Sequence, residues 1–132
     1  MPIRRFILVT VILVAVILFA AAGCSKGIRL RAIPALAGSG KAVVGVVLTY
    51  DRNNQLSIVL SGVKDDRYVA WTTPPGGEPV NVGQIRVESG MGRIDTLTPL
   101  RKFTLMITRE EKGDTQKPSA NVVFKSDKEI EW

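Results

Sequence analysis

The chain has 132 residues, with 18 Lys and Arg against 12 Asp and Glu, one Cys and no His. The missing His excludes Ser–His and Cys–His nucleophile pairs. One Cys without His gives neither an internal disulfide nor a zinc site, so no enzyme, catalytic residue, metal or cofactor is expected. The net charge of +6 is unevenly spread: Arg4, Arg5, Lys26, Arg29 and Arg31 precede residue 41, leaving 13 cations against 12 carboxylates, a net +1, for residues 41–132. Nucleic-acid binding needs cations clustered on one face, and the mixed signs here do not predict it.

Arg4 and Arg5 open the chain, and Phe6–Ala22 follows, apolar throughout except for Thr10. Ala21-Ala22-Gly23-Cys24-Ser25 comes next. A basic start, an apolar run and small residues at a cut are the parts of a signal peptide. Small residues before a Cys resemble the bacterial lipobox, in which the chain is cut before the Cys and its thiol is acylated, with Ala21 where Leu is usual. The alternative is an uncleaved signal anchor, because this run of 17 residues reaches the lower edge of what spans a bilayer. Both readings put residues 25–132 on the extracytoplasmic face of a bacterial membrane, held to lipid through Cys24 or through an N-terminal hydrophobic helix. Residues 1–23 are the signal peptide or anchor. Residues 24–41 read as the lipid-attachment Cys and a flexible linker, since Gly27, Pro34, Gly38, Ser39 and Gly40 interrupt any regular element.

Residues 42–132 form the expected domain. Runs rich in Val, Ile, Thr and aromatic residues cover Ala42–Tyr50, Gln55–Leu60, Arg67–Thr73, Val80–Val87, Arg93–Leu97, Phe103–Arg109 and Asn121–Lys125. Clusters of Gly, Pro, Asn and Asp separate them. Leu56, Ile58 and Leu60 alternate with Ser57 and Ser61, as do Phe103, Leu105 and Ile107 with Thr104, Met106 and Thr108, which is the pattern of half-buried strands. The alternation changes phase at Gly83, where a β-bulge or bend is expected. About seven short antiparallel strands predict an all-β, Ig-like sandwich of two sheets. Its expected core includes Ile58, Leu60, Val69, Trp71, Ile85, Leu105, Ile107 and Val122. The last run, with Asp127, Lys128, Glu129 and Glu131 after it, reads as an edge strand blunted by charge, and a monomer is expected.

An ordered set of fragments spans about seventy residues: Tyr68-Val69-Ala70-Trp71, Pro74-Pro75-Gly76-Gly77, Pro79-Val80-Asn81-Val82-Gly83, Thr98-Pro99, Ile107-Thr108-Arg109-Glu110, Pro118 and Val122-Val123-Phe124. In order and spacing it resembles the C-terminal domain of anti-sigma-K factors. The resemblance implies an extracytoplasmic β-sandwich with Tyr68 and Trp71 as core anchors. Five residues precede the hydrophobic run, so fold and location carry over and sigma-factor binding does not.

The paired Asp65-Asp66 reads as a solvated turn. Asp51-x-Asn53-Asn54 lacks the sixth-position Gly and the closing Glu of a calcium loop. Two function classes follow. One is an envelope module that binds or senses a protein or wall polymer, with the loop Thr72, Thr73, Pro74, Pro75, Gly76, Gly77, Glu78 and Pro79 as its candidate partner site. The other is a structural or accessory lipoprotein with no ligand of its own.

Overall fold

The computed structural model describes residues 26–49 and 53–131. The expected N-terminal hydrophobic helix, the cleavage site and Cys24 lie outside them. Ten strands and one helical turn follow in order: β1 (Lys26–Arg29), β2 (Arg31–Ala32), α1 (Pro34–Ala37), β3 (Lys41–Leu48), β4 (Asn54–Ser61), β5 (Arg67–Thr73), β6 (Val80–Arg86), β7 (Met91–Thr98), β8 (Lys102–Arg109), β9 (Val122–Lys125) and β10 (Ile130–Glu131). One sheet has the order β1-β3-β4-β7, and the other β2-β9-β8-β5-β6 with β10 added to β8; every pairing is antiparallel. The all-β, two-sheet expectation holds, and the seven expected runs correspond to β3–β9.

Alternation decides what faces inward. Ala42, Val44 and Val46 of β3 and Leu56, Ile58 and Leu60 of β4 are fully buried, as are Tyr68 and Ala70 of β5 and Phe103, Leu105 and Ile107 of β8. They belong to one apolar cluster between the sheets. Burial of such side chains contributes roughly 1.5–3 kcal/mol each, and no disulfide assists. Asn54, buried at the start of β4, donates from its side chain to the Leu100 carbonyl at 2.8 Å and ties the β3–β4 turn to the β7–β8 turn.

Three expectations need correction. Residues 26–41 are not a linker, because β1 pairs with β3, Leu30 is buried and donates its N–H to Ala42 at 3.0 Å, and β2 joins the other sheet. The N-terminal segment thus crosses from one sheet to the other, and Gly and Pro serve the crossover. β9 is not an edge: β2 covers one side and β8 the other. Val122 is only half-buried, and Val123 and Phe124 fill the core instead. The cause is an irregularity between Ile107 and Thr108 that shifts the β9 register.

The phase change in β6 is a bulge. Ala70 faces Gly83 and Trp71 faces Asn81, so Val82 is the extra residue. Gly83 has φ +148°, and a Cβ there would lie 2.3 Å from Ile94 Cδ1. Gly83→Ala should therefore lower stability by about 1–3 kcal/mol, the usual cost of a strained backbone position, read as a lower urea midpoint with an unchanged slope.

Candidate functional site

Antiparallel strands send successive turns to opposite ends of the sandwich. The β3–β4, β5–β6 and β7–β8 turns share one end with Lys26, which pairs with Val46 near the end of β3. The β4–β5, β6–β7 and β8–β9 connections share the other. The candidate loop 72–79 belongs to the first end. Its Thr72 is buried, Thr73, Pro74 and Pro79 are half-buried, and Pro75, Gly76, Gly77 and Glu78 are exposed. Gly77 N–H donates to the Pro74 carbonyl at 3.0 Å, and Gly76 has φ +69°, so Pro75 and Gly76 make a tight turn of type II character. The loop carries no aromatic side chain. The described aromatic residues Tyr68, Trp71, Phe103 and Phe124 are all buried.

The opposite end holds a cleft of about 440 Å³ that the sequence reading did not assemble. Asp65, Asp66, Glu88, Glu110 and Glu111 line it with Arg67 and Arg86. Three of the five carboxylates are engaged. Asp65 accepts the N–H groups of Ser89 at 2.9 Å and Gly90 at 2.7 Å, where both residues have positive φ. This carboxylate fastens the β6–β7 turn to the β4–β5 loop. Asp66 accepts Arg67 N–H at 2.8 Å and lies 3.8 Å from Arg109 Nε. Glu110 accepts the Thr108 hydroxyl at 2.5 Å and Ser119 N–H at 2.8 Å. Glu88 and Glu111 are exposed. The Arg67 guanidinium donates to the Glu111 carbonyl, while its Nε is buried without a hydrogen-bond partner among the described residues. Among those residues no acidic cluster has the arrangement of a metal site. What the cleft offers is fixed charge of both signs around an open, polar hollow.

The segment 110–121, whose Glu110 and Glu111 wall this cleft, also forms a strap across the outer face of the six-stranded sheet. The strap explains Trp71. Alternation points Val69 and Trp71 away from the inter-sheet cluster, yet both are fully buried. Asn81, Trp71 and Met106 form one row on that outer face. Asn81 donates from its side chain to the carbonyls of Gly113 at 2.9 Å and Thr115 at 3.0 Å, holding the strap down beside the indole. The Trp71 indole N–H donates to the Thr108 hydroxyl at 2.8 Å. Trp71 is thus an anchor, as expected, but of a second small core rather than the main one.

Tyr68 opens β5 from the inner face, and its hydroxyl donates to the Lys64 carbonyl at 2.6 Å, pinning the loop that carries Asp65 and Asp66. Burial, with Asp66 nearby, raises its pKa above the ordinary 10.0. On the four-stranded sheet Asp95 accepts the Ser57 hydroxyl at 2.6 Å and Arg93 at 3.3 Å, contacts that lower its pKa.

No family model, curated protein or solved structure matches the chain. The anti-sigma-K resemblance therefore rests on the fragments quoted above.

Two substitutions test this anatomy. Trp71→Ala should cost about 3–5 kcal/mol, as truncation of a large buried aromatic does, measured by chemical denaturation. Tyr68→Phe should cost about 0.5–1.5 kcal/mol for a lost hydrogen bond. The raised Tyr68 pKa keeps the folded phenol neutral where the unfolded one ionises. The advantage of wild type over Tyr68→Phe should therefore be full below pH 10 and narrow as pH rises above it.

Proposed function

We propose that this chain is a membrane-anchored, extracytoplasmic Ig-like module that binds or senses a protein or wall polymer at the bacterial envelope. The observation that carries the reading is the placement of the mixed-charge cleft. It lies at the end of the sandwich opposite Lys26, where the chain arrives from the apolar run Phe6–Ala22. A module tethered at one end presents its other end to partners. The strand order supports the Ig-like description: β3-β4-β7 packs against β6-β5-β8-β9, the two-sheet arrangement of a seven-stranded sandwich with its fourth strand on the second sheet. The resemblance to the anti-sigma-K C-terminal domain points to the same compartment.

Lipid attachment at Cys24 is part of this proposal, with the signal anchor as its alternative. In the first case Cys24→Ser leaves an unprocessed precursor without acyl groups. In the second the substitution changes neither size nor attachment. The intact mass of detergent-extracted protein separates them, and a native mass that retains residues 1–23 without acyl addition would sink the lipoprotein reading.

Cross-linking in membranes tests the binding reading. Wild type should capture a defined envelope component, and the full chain carrying Glu88→Lys and Glu111→Lys should capture it at least several-fold less. Both positions are exposed and their side chains support no described contact, so the fold should survive. Equal capture by both forms would remove the cleft from the proposal. No capture by either would favour an accessory lipoprotein without a ligand.

A further inference from the structure

We infer that the sandwich is seated on the lipid surface by the end that carries the last residues of β3 and the β7–β8 turn, and does not float above it. The inference rests on the membrane-tether reading of residues 1–24, but it holds for a lipidated Cys24 and for an uncleaved anchor alike.

The first argument is chain length. The apolar run ends at Ala22 and β1 begins at Lys26. At ~3.3–3.6 Å per residue, Lys26 lies at most about 14 Å from the end of that run, and closer still to an acylated Cys24. From Lys26 onward the backbone is locked, because β1 is paired to β3 over its whole length and Leu30 is buried between the sheets. With the linker role of residues 26–41 gone, no slack remains to lift the domain away.

The second argument is what this end displays. Lys26 pairs with Val46. The next two residues of β3 are Val47 and Leu48, 37% and 39% exposed, and Val47 lies in one row with Gln55 and Leu97, which is 55% exposed. Half-buried Leu100 and exposed Pro99 and Arg101 complete the β7–β8 turn. Exposed apolar side chains beside the exposed Arg101 are what an interfacial surface needs: the apolar groups enter the headgroup region and the cation meets anionic lipid. The mixed-charge cleft lies at the far end, about 26 Å away along the eight residues of β3, outside a Debye length of an anionic leaflet.

The occupant is therefore a bilayer surface. The full chain, reconstituted in nanodiscs of phosphatidylcholine and phosphatidylglycerol doped with a gadolinium-chelating lipid, reports it through amide line broadening. Val47, Leu48 and Leu97 should broaden several-fold more than Asp65, Glu88 and Glu111. Equal broadening at the two ends, or stronger broadening at the cleft, overturns the seating while leaving the tether intact. Failure of the protein to co-purify with the discs overturns the tether and the seating together. Leu48→Asp with Leu97→Asp should keep disc association and equalise the two ends. If that variant stays folded and keeps the asymmetry, the apolar rim is not the contact and the inference fails.

Discussion

The Trp71–Thr108 hydrogen bond, at 2.8 Å, joins the two central strands of the larger sheet on a face that alternation would leave to water. An indole placed there needs a cover, and residues 110–121 provide it. The cover is held by a relay of donors: indole N–H to the Thr108 hydroxyl, that hydroxyl to Glu110, and Ser119 N–H to the same carboxylate. β5 is consequently buried on both faces, with Tyr68, Val69, Ala70, Trp71 and Thr72 all inaccessible. The same strap sets Glu110 and Glu111 on the wall of the cleft. Packing and the candidate site are thus one arrangement, and loosening the strap would disturb both.

The second organising feature is the difference between the two ends. One carries exposed Val47, Leu48 and Leu97 near the chain entry. The other collects carboxylates around Arg67 and Arg86. Neither set is contiguous in sequence. Antiparallel strands bring them together by returning every second turn to the same end, so a short chain can present two unlike surfaces from one core.

Most of the strand layout was legible in the sequence, because period-two alternation and Gly, Pro, Asn and Asp clusters are local signals. Gly83 announced its bulge through a parity change that no regular strand tolerates. The residues between Lys26 and Lys41 were not legible as structure. β1 and β2 are too short to show alternation, and their Gly and Pro residues look alike in a linker and in a crossover. Trp71 reads as buried from its size, but only the tertiary arrangement says which core it enters. The cleft was within reach. Asp65-Asp66, Glu88 and Glu110-Glu111 flank the second, fourth and sixth turns, and the turn count alone puts them at one end. Which of them remain unengaged depends on backbone donors such as Ser89 and Gly90, whose positive φ angles no composition reveals.

The way the chain enters the fold also has a mechanical meaning. β1 runs away from the Lys26 end, alongside β3 and parallel to the long axis of the sheet. A pull applied between Lys26 and the cleft end would act along that axis. The ladder of β1–β3 hydrogen bonds would then be loaded together, in shear, rather than peeled one at a time. Strands loaded in shear resist force far better than strands that unzip, so the point where the chain enters the sheet doubles as a grip against tension between the two ends.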